Sequence, residues 1–261
     1  MTDTSTRRRS ATGPRDPVEK AFEALRWMLD SPEGSWGVRE IARGLGRPPS
    51  TVHRTLASLE EQGLVVGDSE TGRYSLGLEM FRLAAKISSH FSLRRLAIPT
   101  LEQLQGRFNE TAFLGLLDPK GKQMMMAALV ETTRPLRYVV DANEWRPLYL
   151  GASGLAILAF LDADDREQVL KDLDDPTVIG GKLVPIASVR QTIEEVRAQG
   201  FARTVGQRVP DALGVAAPVF RPRGTVIGSI GLTLPSSRYD ESLGMEQVVV
   251  EAAEAFTSFI A

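Results

Sequence analysis

The chain has 261 residues, 43% hydrophobic and 25% charged, with a net charge of −2, an ordinary globular composition with room for one small and one medium domain. It has no cysteine, which excludes disulfides and cysteine-based metal or nucleophile chemistry. No apolar run reaches the ~18 residues that span a bilayer, so a cytoplasmic protein with no membrane partner is expected.

Thr4 to Arg15 is rich in Ser, Thr, Arg and Pro. Residues 1–16 therefore read as a disordered basic arm, whose Arg7, Arg8 and Arg9 either reach phosphates or stay solvated. Val18, Ala21, Phe22, Leu25 and Leu29 make one face of a first helix. Val38, Ile41, Ala42 and Leu45 repeat that spacing, with Gly37 as cap and Glu40 three residues on. Gly44-Leu45-Gly46 breaks the run, and Pro48 and Pro49 suit the first turn of the next helix. There Val52, Leu56 and Leu59 form a buried stripe, leaving Ser50, Thr51, His53 and Arg54 on the outer face. Short hydroxyls and an arginine at a helix N-terminus are what major-groove reading requires.

Leu64 to Val66, a polar turn from Gly67 to Gly72, and Arg73 to Leu76 read as a β-hairpin. Residues 17–77 thus describe a winged helix-turn-helix, followed at 78–91 by an amphipathic linker helix. Ser92 to Glu110 is another helix, kinked at Pro99. Beyond it the period shortens. Thr111 to Leu117 and Gln123 to Val130 form a hairpin, and Leu136 to Val140 a further strand. Helices are expected over 151–161, 163–173, 187–199 and 240–260, and strands over 201–205, 213–220 and 225–234. Hairpin groups separated by helices imply an α+β domain, residues 92–261, with a mostly antiparallel sheet.

The stretch Ser50-Thr51-Val52-His53-Arg54-Thr55-Leu56, with Leu59, Gly63 and Tyr74-Ser75-Leu76-Gly77, resembles the IclR family of transcriptional regulators. The likeness continues through Pro147-Leu148, Gly151 to Ala159, Gly200-Phe201-Ala202, Gly214 to Phe220 and Gly228 to Leu232, and so covers Pro17 to Ala261. It implies a GAF-like effector domain, a homodimer or a dimer of dimers, and repression as the expected mode. It also implies an effector site at Leu136, Val139, Ser153, Gly154, Gly214, Gly231 and Thr233. Glycine at 214 and 231 would widen that cavity. Small residues from Gly151 to Gly154 would turn helix-start amides toward an anionic ligand, an aromatic or aliphatic carboxylate. Arg134 and Arg137 are its candidate side-chain partners.

Gly151-Ala152-Ser153-Gly154 is not a nucleophile elbow, because Leu155 stands where G-x-S-x-G needs glycine. The two histidines, His53 and His90, lie in the reading helix and the linker and offer that serine no base. No enzyme chemistry, metal or other cofactor is expected. Residues 1–77 hold eleven basic and eleven acidic residues, so the positive charge for DNA is local. Ser50, Thr51 and Arg54 are expected at base edges of an operator, with His53 and Pro49 beside them. Arg39, Arg43, Arg47 and the wing's Arg73 would hold phosphates. Two other readings stay open: an enzyme whose winged helix makes protein contacts, and a constitutive DNA binder whose second domain only dimerises.

Overall fold

The computed structural model describes residues 16–90, 92–118, 120, 122–142, 144–222 and 224–260, and the chain divides into two compact units that part after residue 91. The basic arm expected at its start lies, Asp16 aside, outside the described residues.

In the first unit α1 (Pro17–Asp30) begins where the Asp16 carboxylate accepts from the Val18 N–H at 2.9 Å. A short strand β1 (Trp36–Gly37) leads into α2 (Val38–Leu45), and Glu40 accepts from the Gly37 N–H at 3.2 Å, as the spacing anticipates. Gly46, at φ 62°, ends α2 in the left-handed region and starts the turn into α3 (Pro49–Glu61). Strands β2 (Val65–Gly67) and β3 (Arg73–Leu76) complete a three-stranded antiparallel wing ordered β1-β3-β2, and α4 (Leu78–His90) follows. Glycine is required at 77, since a Cβ there would sit 2.1 Å from the Gly63 carbonyl oxygen.

The core of this unit gathers Met28, Trp36, Ile41, Leu56 and Val65. It corrects the expected face of α1. Ala24, Leu25 and Met28 are buried with Ala21 packed beside them, whereas Val18, Phe22 and Leu29 are exposed by 60%, 63% and 55%. Both stripes have helical spacing. The 21, 24, 25, 28 stripe carries small residues that let the α3 backbone come close, so it takes the core.

The second unit opens with α5 (Ser92–Phe108), which accommodates Pro99, and the hairpin β4 (Thr111–Asp118) and β5 (Gln123–Val130). Next come β6 (Arg146–Pro147), α6 (Gly151–Leu158), α7 (Ala163–Lys171), a small hairpin β7 (Thr177–Ile179) and β8 (Lys182–Val184), and α8 (Ile186–Gln199). Strands β9 (Ala202–Val205), β10 (Ala212–Phe220) and β11 (Val226–Pro235) and the helix α9 (Met245–Phe259) finish it.

Six strands form one antiparallel sheet in the order β6-β5-β4-β11-β10-β9. Alternation along the strands feeds two cores. Ala112, Leu114, Val215 and Ile230 pack with α5 and α9, while Phe113, Met124, Met126 and Ala216 pack with α6 and α8.

Two expectations fail here. Leu136 to Val140 is irregular and not a strand: β6 takes the β5 edge only at Gln123 and Met124, and this segment pairs with none of the sheet's strands. Its course is fixed instead by side chains, with Thr132 donating to the Asn109 carbonyl at 2.6 Å and Arg238 to the Leu136 carbonyl at 3.0 Å. The terminal helix starts at Met245 and not Asp240. Asp240 accepts from the Ser242 N–H in a 3₁₀ turn, and Gly244 at φ 58° cannot join a right-handed helix to it. Among the described residues no helix is long and apolar enough to cross a membrane.

Candidate nucleic-acid interface and ligand cleft

Helix α3 sinks Val52, Leu56 and Leu59 into the first unit's core, and this fixes its outer face by geometry. Pro49, Ser50, His53 and Arg54 are exposed and Thr51 is half-buried, its carbonyl accepting from the Thr55 hydroxyl at 3.0 Å. Arg39 and Arg43 are exposed on α2 and make no ion pair with a described residue. The other two arginines expected at phosphates are already engaged. Arg47 donates to both Glu23 carboxylate oxygens, at 2.9 and 3.3 Å, and bolts the inter-helix turn to α1. Arg73 donates from Nε to the Ser35 hydroxyl at 3.1 Å and from its terminal nitrogen to the Ser35 carbonyl and to Glu40 at 3.4 Å. It holds the wing against the N-terminus of α2. Both guanidiniums hold the reading head in shape, a use that spacing alone did not reveal.

In the second unit a cleft of about 140 Å³ lies between the sheet and the start of α6. Phe113, Met124 and Met126 form an apolar wall, so two of the three consecutive methionines face it. Tyr138 to Asp141 flank the mouth opposite Gln207 to Val209, and the Tyr138 hydroxyl donates to the Pro210 carbonyl at 3.2 Å.

Of the seven positions carried over for an effector, Val139, Ser153, Gly214 and Thr233 line this cleft; Leu136, Gly154 and Gly231 do not. Leu136 is exposed outside it. Gly154 and Gly231 are packing glycines: a Cβ would fall 2.6 Å from the Leu148 carbonyl and 2.1 Å from the Val215 carbonyl. Glycine at 231 therefore permits close backbone approach and does not widen the cavity. At Gly214 a Cβ would stand 3.2 Å from that of Ala152, so α6 sets the room there. The Ser153 and Ser229 hydroxyls share a buried hydrogen bond of 2.7 Å. The first amide of α6 is also occupied, because the Gly151 N–H donates to the Gln207 side-chain carbonyl at 2.9 Å.

The arginines near the cleft are not those expected. Arg134 lies 3.8 Å from Glu110, and Arg137 pairs with Glu131 at 3.3 Å; neither lines the cleft. Arg146 and Arg208 do. Sequence reading missed both, although Arg146 stands directly before the Pro147-Leu148 stretch that carries the family likeness.

A winged helix with an exposed reading helix, and a separate α+β unit with an apolar cleft edged by a few polar groups, define a DNA-binding regulator with a ligand-binding domain. Comparison with known proteins gives the same class. Residues 17–69 match the IclR helix-turn-helix domain and residues 85–259 the bacterial transcriptional regulator IclR C-terminal domain, so the chain belongs to the IclR family of bacterial transcriptional regulators. It is 30% identical over 221 residues to the glycerol operon regulatory protein of Streptomyces griseus, covering 85% of each chain. It is 23% identical over 249 residues to the transcriptional repressor IclR of Escherichia coli K12, covering 95% of this chain and 90% of that one. Its fold matches an IclR homologue from Microbacterium hydrocarbonoxydans, solved with 4-hydroxybenzoate, at TM-score 0.78 and 22% identity, over 94% of this chain and 99% of the other.

Proposed function

We propose that the protein is a homodimeric, cytoplasmic repressor whose grip on its operator is loosened when a small aromatic or aliphatic carboxylate enters the cleft of the second unit. The observation that carries this is the cleft itself: it is lined both by an apolar wall of Phe113, Met124 and Met126 and by two arginines, Arg146 and Arg208. An apolar body with a single anionic group matches that division. The 4-hydroxybenzoate bound by the Microbacterium homologue has this chemistry, and the Escherichia coli relative is a repressor by name.

On the DNA side, Ser50, Thr51, His53 and Arg54 are the groups assigned to base edges, while Arg39 and Arg43 are assigned to phosphates. One such module reads too few bases to find a site in a genome, so two copies on a two-fold pair of half-sites are required.

The test is fluorescence anisotropy with the DNA that flanks this protein's own gene, against scrambled DNA at physiological salt, with and without benzoate or 4-hydroxybenzoate. Tight binding to the flanking DNA alone, weakened by an acid, is the expected result. Binding that ignores sequence removes the operator reading, and binding strengthened by the acid replaces repression relieved by ligand with ligand-dependent binding.

A further inference from the structure

Arg146 is only 7% exposed, at the edge of the sheet on β6. One terminal nitrogen donates to the Asp141 carbonyl at 2.6 Å, and the nearest carboxylate, Glu144, lies 4.0 Å away at the surface. Its Nε–H is buried and has no partner among the described residues. A buried donor without an acceptor is costly, and a guanidinium cannot escape by losing its proton.

A second positive charge aggravates this. Arg208 lines the same cleft and makes no ion pair with a described residue. Burial, and then repulsion from Arg208, pull the Arg146 guanidinium below its ordinary basicity. Arg208's neighbour Gln207 accepts from the Gly151 N–H at 2.9 Å, and the Arg208 stem passes Gly151, where a Cβ would lie in ordinary contact 3.4 Å from its Cδ. Two like charges and an unmet N–H around one cavity are an arrangement that an anion completes.

We propose that Arg146 and Arg208 together form the carboxylate clamp of the effector site, with the ligand's apolar body lying against Phe113, Met124 and Met126. The inference rests on the function proposed above and moves the anion from the α6 amides to the two side chains. It also sets the ligand's charge. Among the charged side chains that line the cleft, Asp141 offsets one of the two guanidiniums, so one carboxylate suffices. The clamp joins β6 to the loop at 206–211, so a bound acid ties that loop down.

Benzoate, phenylacetate and hexanoate, each beside its neutral amide, would be titrated by calorimetry into the full-length protein and into Arg208→Gln. Arg146→Lys serves as the second variant. Arg208 is exposed, so its variant folds; losing a like-charge neighbour leaves its melting temperature without ligand equal to or above that of the native chain. At least one acid should bind the native protein about tenfold or more tightly than its amide, and Arg208→Gln should erase that preference while leaving the amide unchanged. Arg146→Lys keeps the charge but loses the fork, and should weaken the acid alone. An acid that binds native and Arg208→Gln proteins alike, or no better than its amide, overturns the clamp. An acid that is clamped as described yet leaves DNA affinity unchanged overturns the regulatory reading alone, and no binding by any probe overturns both.

Discussion

Arginine is used in two ways in the reading head, and the difference decides what each substitution does. Arg54 is exposed on the outer face of α3, whereas Arg73 spends its guanidinium on Ser35 and Glu40. Arg54→Ala should therefore cost roughly 1–3 kcal/mol of operator binding and relax selectivity at one base pair, with no change in melting temperature. Arg73→Ala should weaken flanking and scrambled DNA together and lower the melting temperature of the first unit, because it frees the wing. Competition binding and differential scanning on the two variants separate the cases; the same outcome for both would reject the division. At the wing tip the Thr71 hydroxyl, at 2.6 Å, and then the Glu70 N–H, at 2.9 Å, lower the Asp68 pKa from its ordinary 3.8. A depressed carboxyl contributes above its unfolded value and loses that contribution as pH falls through the folded one. The turn is thus intact at neutral pH and loosens only below 3.8, which an NMR titration of the Asp68 carboxyl and the Thr71 amide would follow to a shared midpoint.

At the scale of elements, α1 has two apolar faces and one core to fill. The face of Val18, Phe22 and Leu29 is left over, and Leu78 and Phe81 at the start of α4 are also exposed. A stripe of this kind is the surface a second copy would cover in a dimer. Phe22→Glu should shift the full-length protein from dimer to monomer in sedimentation, with its helix content by circular dichroism unchanged. A variant that stays dimeric would clear α1 of that role. The same helix shows why sequence periodicity was a partial guide. Where one stripe was apolar, as on α3, the buried residues were legible; where two competed, only tertiary packing could choose. Strands with strong alternation or tight turns, β4 with β5 and β10 with β11, were legible almost to the residue. The β7–β8 hairpin was missed despite its Gly180-Gly181 turn, because strands of three residues carry little pattern. The cleft was legible in its location but not in its charges. Ser153, Gly214 and Thr233 are found from motif, whereas Arg146 and Arg208 meet only through the fold.

For the whole molecule the question is how residues 1–77, with no net positive charge, hold DNA. Eleven basic and eleven acidic residues up to position 77 leave no general field, so affinity must come from individual contacts. Arg47 and Arg73 are drawn inward by Glu23, Glu40 and Ser35, which leaves Arg39, Arg43 and Arg54 in each head with no ion pair to a described residue. Two heads then neutralise about six phosphates, and the logarithm of affinity should fall with the logarithm of salt at a slope near −5; all five arginines per head would give about −9. Anisotropy at four salt concentrations distinguishes the two. The steeper slope would mean either that Arg47 and Arg73 leave their partners on DNA, or that Arg7, Arg8 and Arg9 take phosphates. Removing residues 1–15 decides between these, since only the second loses its excess. The shallow slope carries a consequence for control. When electrostatic grip is small, a ligand need change the fit of the two heads by only ~1–3 kcal/mol to release the operator, and by reciprocity operator DNA must weaken the acid's binding by the same factor.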